Sequence, residues 1–272
     1  ILELMKSATD SSNLSISPDL TQQERLVREM ERHTQSIIVD AEEHRHQHFW
    51  KSLPLGDAAK FKAHISSQRN YFWESVIGRF RDPDAPMQPQ TRLIRETAEV
   101  SLYEVKLGVW EDVFAWGWLA LPKDLKPGEN RPIIVCQRGL EGIPEDVFNA
   151  DPESAAYKPY KAFALQLARR GYITFAPHNA YRGKHAFRTL QRKLNPLGKT
   201  LFSVIIGQHQ RIREWLKLQS FTNPNRIAFY GLSYGGKSAM RIPAVLTDYC
   251  LSICSGDFNE WVRKCVSTEM PM

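Results

Sequence analysis

Apolar and polar positions alternate along this 272-residue chain in two different rhythms. Up to about residue 95 the rhythm is helical. In SPDLTQQERLVREMERHTQSIIVDAEEHRHQHFW, the apolar residues Leu26, Met30, Ile37 and Ile38 recur at roughly the spacing that stacks side chains on one helix face. Thr21, followed three positions later by Glu24, has the spacing of a capping box: hydroxyl to one backbone N–H, carboxylate back to the other. DAAKFKAHISSQRNYFWESVIGRF predicts a second helix, with Phe61, Ile65, Phe72 and Val76 on related faces. The proline-rich RDPDAPMQPQ, residues 81–90, reads as a linker.

The rhythm then becomes that of strands alternating with helices. Leu102 to Val109 alternates, and Val113 to Leu121 is aromatic and β-prone before Pro122. PIIVCQ, YITFAP, RIAFY and YCLSICS read as strands. YKPYKAFALQLARRG, closed by Gly171, and LFSVIIGQHQRIREWLKLQ read as helices, and another helix starts at Gly235. KDLKPGENR and Asn223-Pro224 read as turns. The expected class is α/β: a mostly parallel sheet with flanking helices, preceded by a helical N-terminal extension. The expected division is a helical extension with its linker over 1–95 and an α/β core over 96–272.

Composition changes this picture little. Hydrophobic residues make up 42% and charged residues 24%, ordinary values for a globular protein. No apolar run approaches the ~20 residues that span a bilayer, so no membrane partner is expected. The first twenty residues lack the basic start and apolar stretch of a secretory leader. Cys136, Cys250, Cys254 and Cys265 form no C-x-x-C pair, and the first three, in apolar strand-like runs, read as buried thiols. The net charge is +6, and from Lys158 to Lys217 thirteen Lys or Arg face a single acid, Glu214. That stretch either attracts a polyanion or is a solvated face. Its interleaving with apolar positions favours the solvated face, so nucleic acid is not an expected partner.

The chemistry concentrates at Gly231-Leu232-Ser233-Tyr234-Gly235, a G-x-S-x-G string with a strand before it and a helix after it. Such a turn holds the serine hydroxyl above the C-terminal edge of the sheet. Its glycines remove the Cβ atoms that would collide as strand and helix close. The helix N-terminus then brings free N–H groups to developing negative charge.

With these residues, the stretch from about Ser101 to Trp261 resembles the α/β-hydrolase fold, and most of all its dienelactone hydrolase, prolyl-oligopeptidase and acetyl-xylan-esterase branches. Lys237 extends the string to G-x-S-x-G-G-K, similar to the G-x-S-R-x-G-K of glucuronoyl esterases, with Tyr234 where those have arginine. The resemblance implies that Ser233 is a nucleophile and that the Tyr234 N–H is one oxyanion donor. The second donor would come from the loop CQRGLEG, Cys136 to Gly142. Arg138-Gly139 stands where many relatives have His-Gly, which points to the Leu140 N–H. Gly139 and Gly142 would let the backbone approach a substrate. Arg138 either binds a substrate anion or makes a structural ion pair. Lys237 and His178 complete the expected substrate-binding residues.

The resemblance also implies the order serine, acid, histidine. All eight histidines precede Ser233. The expectation is therefore of a hydrolase truncated at its C-terminus, with its histidine and its acid beyond Met272. Asp257, just after YCLSICS, is the acid in an alternative some relatives use, or else a loop-capping carboxylate. His178 lines the pocket, satisfies a loop carbonyl or, less simply, serves as the base. EEHRHQH lacks an H-E-x-x-H pattern, and NPLGKT has Lys193 where a phosphate loop needs glycine, so no metal and no organic cofactor are implied. Trp110, Trp116, Trp118, Trp215 and Trp261 either line a sugar site or pack. The expected function is a serine hydrolase that cleaves carboxylic esters through an acyl-enzyme. Its substrate would be a small-molecule or carbohydrate ester, anionic where Arg138 or Lys237 meets it. The alternatives are a prolyl-oligopeptidase-like peptidase and a non-catalytic polyanion-binding fragment.

Overall fold

The computed structural model describes residues 21–183 and 186–258. The expectations placed on Trp261, Cys265 and His185 lie outside them. The described residues fall into two compact units, divided between Leu53 and Pro54.

Of the first unit, residues 21–53 are described. Helix α1 (Gln22–Arg45) runs on into a π-helical turn, His46–Trp50. Its start has the expected reciprocal cap. The Glu24 N–H donates to Thr21 Oγ1 at 3.3 Å, and the Thr21 N–H donates to Glu24 Oε2 at 2.9 Å. Leu26, Met30 and Ile37 of the anticipated apolar stripe are exposed.

In the second unit, helix α2 (Ala58–Tyr71) is capped by Asp57, whose carboxylate accepts from Ala59 and Lys60, each at 3.0 Å. A seven-stranded sheet follows, in the order β1-β2-β3-β5-β4-β6-β7. The strands are β1 (Gln90–Glu96), β2 (Val100–Trp110), β3 (Val113–Pro122), β4 (Arg131–Gln137), β5 (Ile173–His178), β6 (Thr222–Leu232) and β7 (Leu251–Ser255). The first three strands pair antiparallel, as does β3 with β5, while β5, β4, β6 and β7 are mutually parallel. Parallel neighbours need crossovers, and helices supply them. Helices α3 (Tyr157–Tyr160) and α4 (Phe163–Ala168) join β4 to β5. Helices α5 (Ala186–Leu194) and α6 (Leu201–Lys217) join β5 to β6, and α7 (Tyr234–Val245) joins β6 to β7.

Side-chain alternation sorts the strands into two buried faces. Val105, Leu107, Val135, Phe175 and Phe229 belong to one apolar cluster with Ile205, Ile206 and Ile212 of α6. Leu102, Ala120, Cys136 and Ala176 belong to the other, with Phe163, Ala164 and Ala168 of α4. Burying each large apolar side chain of this kind contributes about 1.5–3 kcal/mol. A sheet covered on both faces follows from that pattern.

The structure departs from the sequence pattern at four places. Residues Gln90–Glu96, with only two apolar positions, form an exposed edge strand because β2 supplies the hydrogen-bond partners. The helix expected from Tyr157 to Arg170 is broken, since Lys161 and Ala162 adopt left-handed φ values of 50° and 49°. Asn223-Pro224 lies inside β6, where the ladder to β4 is interrupted between its pairs at Thr222 and Ile227. Cys250 is exposed rather than buried.

Candidate active site

The turn from β6 into α7 is fixed by close packing of backbone on backbone. A Cβ on Gly231 would stand 1.8 Å from the Gly235 carbonyl oxygen, and one on Gly235 would stand 2.0 Å from the Gln137 oxygen. Only hydrogen fits at either place. Ser233 takes up the bend, with φ 59° and ψ −121°, a conformation that a residue with a side chain rarely adopts. Its N–H donates to the Ser255 carbonyl at 2.8 Å, and its carbonyl accepts from Lys237 at 3.0 Å. Ser233 is exposed at the tip of this turn.

The loop after β4 comes to the same point. A Cβ on Gly139 would be 3.4 Å from Ser233 Oγ. The Gly139 N–H is occupied, donating to the Tyr160 hydroxyl at 3.1 Å. Among the described residues, the N–H groups of Leu140 and Tyr234 have no acceptor. Leu140 is exposed, and Tyr234 opens α7, where the first N–H groups of a helix are unpaired. These two N–H groups belong to the residues that follow Gly139 and Ser233, the two positions that meet here.

Arg138 lies inside the protein, fully buried. Its Nη1 donates to the Pro177 carbonyl and its Nη2 donates to His178 Nδ1 at 2.8 Å, while Nε has no partner among the described residues. Burial pushes its pKa down. Gly142 makes room for it, since a Cβ there would meet Arg138 Cδ at 2.7 Å. The guanidinium therefore holds the end of β5. Because arginine only donates, His178 Nδ1 is the acceptor and its proton sits on Nε2. Burial first, and then Arg138 and Arg182, lower the His178 pKa to about 4. His178 is thus a neutral N–H donor at the sheet edge, poorly suited to take a proton.

Two tyrosines hold this loop, and neither stands out in the sequence. Besides the Tyr160 contact, the buried Tyr181 hydroxyl donates to the Arg138 carbonyl at 2.9 Å and accepts from Gln137 Nε2. The helix break at Lys161–Ala162 separates Tyr160, directed at the loop, from Phe163, directed at the core. No local spacing signals contacts across 21 and 43 residues.

On the far side of the turn, Asp257 is 8% exposed, and its Oδ2 has no partner among the described residues. It packs on the first turn of α7, where a Cβ on Gly236 would be 3.3 Å from its own Cβ. Lys237 Nζ lies 4.8 Å from the Tyr234 ring centre, covering the residue after the serine. Several members of the basic stretch are matched by carboxylates: Arg169 by Glu99, Arg211 by Glu214, and Arg213 and Lys217 by Asp248. No group of three or more metal-ligating side chains occurs among the described residues, and no helix there is long and apolar enough to cross a membrane.

Strand order, strand direction and a serine at the β6–α7 turn can be compared with solved structures. A candidate acetyl xylan esterase from Bacteroides fragilis superposes with a TM-score of 0.57 at 19% identity, over 70% of this chain and 52% of that one. This is the α/β-hydrolase fold. A glucuronoyl esterase from Solibacter usitatus gives a TM-score of 0.49 at 17% identity, over 71% of this chain and 58% of that one. An acetyl xylan esterase from Paenibacillus sp. R4 gives 0.47 at 19%, over 70% and 56%. The chain therefore spans a little over half the length of these solved proteins. No protein-family model matches the sequence, and neither does any curated protein.

Proposed function

We propose that this chain carries the nucleophile of a serine hydrolase that cleaves carboxylic esters, with carbohydrate esters as the substrate class. The observation that carries the proposal is the strained, exposed Ser233 at the head of α7. Strain of that kind costs about 1–3 kcal/mol and persists where the surroundings impose it, most often at functional sites. In this reading Ser233 Oγ attacks the ester carbonyl, and the Tyr234 and Leu140 N–H groups receive the oxyanion. The tetrahedral intermediate expels the alcohol, and water then releases the acid from the acyl-enzyme. Asp257, a buried carboxylate with one oxygen unused, is the candidate acid. Arg138 acts as a positioning residue that fixes His178 as a donor. Burial lowers the pKa of His178, whose Nδ1 is bound by Arg138, and of the fully buried His209, which makes both weak proton acceptors, and the proposal assigns that role to a histidine outside the described residues. The carbohydrate part of the proposal draws on the acetyl xylan esterase assignment of the Bacteroides fragilis protein.

Treating the natural protein with a fluorophosphonate and mapping its peptides tests this directly. The expected result is an adduct on the peptide containing Ser233, lost in Ser233→Ala together with p-nitrophenyl acetate turnover. Turnover that survives Ser233→Ala would overturn the assignment.

A further inference from the structure

Strand pairing lines up one row of side chains across the antiparallel end of the sheet. Gln90 pairs with Lys106, Lys106 with Trp116, and Trp116 with His178. Directly paired residues share a face, so the row runs from the β1 edge to His178. The row does not end there. His178 accepts from Arg138, and the next residue, Gly139, lies against Ser233. A line of contacts therefore connects the open face of β1–β3 to the candidate nucleophile.

The face is open at this level. The helical layer beneath it reaches Trp118, which stacks on Phe148 with ring centres 6.2 Å apart. Beyond that layer, Phe114 is 49% exposed. Two clefts of about 440 Å³ each lie here, and they share Gln90, Lys106 and Phe114, which makes them one elongated groove. Trp116, Glu104 and Arg92 line one end, and Glu111 and Asp112 line the other.

The polar groups of the groove are already oriented. Glu104 accepts from Trp116 Nε1 at 3.0 Å and from Arg92 Nη2 at 2.8 Å. Lys106 Nζ sits 4.4 Å from the Phe114 ring centre. The wall thus combines three aromatic residues, Trp110, Phe114 and Trp116, with amide, ammonium and carboxylate groups, a set that contacts the C–H face and the hydroxyls of a sugar at once. Its charges nearly cancel: Lys106 and Arg92 oppose Glu104, Glu111 and Asp112. A polyanion meets three carboxylates along the groove, whereas a neutral polyol meets donors and acceptors without repulsion.

We infer that this groove binds a neutral oligosaccharide, as a subsite for the carbohydrate portion of the substrate. The binding itself stands on the groove. Its role as a substrate subsite rests on the hydrolase reading of Ser233. The Trp116 ring and the side of the Phe114 ring not covered by Lys106 would carry two successive sugar units, and Lys106, Glu104 and Gln90 would contact their hydroxyls.

The test uses the full chain carrying Ser233→Ala, so that no turnover is needed, titrated by calorimetry with cellohexaose, xylohexaose and mannohexaose, and with heparin as the polyanion. At least one neutral hexasaccharide should bind with Kd below about 1 mM. Phe114→Ala should weaken it about 10-fold or more, and Trp116→Ala likewise. Phe114 is half exposed, so its removal leaves the core intact, and Lys106→Ala provides a second surface variant with an expected loss of several-fold. Binding of none of the three hexasaccharides, affinity unchanged by Phe114→Ala and Lys106→Ala, or salt-sensitive binding of heparin alone would each overturn the inference. Wild-type p-nitrophenyl acetate hydrolysis is measured in parallel. Turnover without oligosaccharide binding would sink the groove and leave the hydrolase standing, while binding without turnover would do the reverse.

Discussion

The β6–α7 turn and the loop after β4 meet at Ser233, but they are held there in different ways. The turn is held by backbone against backbone, with Gly231 over Gly235 and Gly235 over Gln137 at distances no Cβ would tolerate. The loop is held by side chains reaching in from afar, the Tyr160 hydroxyl on Gly139 and the Tyr181 hydroxyl on Arg138. The first device is rigid and intolerant of any added atom. The second is a set of separable hydrogen bonds, each of modest worth. A nucleophile placed by the rigid element and an N–H donor placed by the adjustable one divide the demands of the proposed chemistry between them.

The difference can be broken hardest at the turn. Gly231→Ala and Gly235→Ala should each cost about 3 kcal/mol or more, or abolish folding, as read by urea denaturation. On the loop side, Tyr181→Phe should cost about 1–3 kcal/mol, because it leaves the Arg138 carbonyl and the Gln137 amide buried without that partner. Tyr160→Phe should cost only about 1 kcal/mol in the same assay. Should the tyrosine variants destabilise more than the glycine variants, the contrast between the two elements fails. Ser233→Gly sharpens it from the other side. Relieving the strained φ should raise stability by about 1 kcal/mol while ester turnover is lost, whereas an unstrained serine would give no gain.

A separate handle on the site is pH. His178 and His209 have folded pKa values lowered to about 4 and about 3, by burial in both cases. The unfolded chain titrates them near ~6.5. Their neutral forms are favoured in the fold, so stability is full above that value and declines as pH falls below it. The decline due to His178 ends near 4 and that due to His209 near 3. Melting temperatures between pH 8 and pH 4 should fall with acid, and His178→Gln should flatten part of that slope. A steeper slope in the variant would contradict the neutral, Arg138-bound imidazole.

Much of this was legible in the residues. The Thr21 cap, the alternation of β2 and β3, the parallel strands and the strand–Ser–helix turn rest on neighbours within a few positions, and sequence displays such neighbours. The edge strand β1 was not legible, because its apolar content is low and β2 supplies its hydrogen bonds. Arg138 read equally as an anion binder or a structural cation. Its burial against Pro177 and His178, 39 and 40 residues away, was visible only in the fold. That Gly142 makes room for this arginine was likewise visible only in the fold.

By itself, the sequence determined the class of sheet, the covering of its two faces and the bend at Ser233, because periodicity and glycine spacing act locally. Tertiary structure decided what surrounds the serine: which tyrosines grip the loop, which way Arg138 turns, and which row of side chains leads out to the open face of β1–β3. Those depend on strand order and register, which bring together residues far apart along the chain, and their chemistry becomes readable only once the sheet has formed.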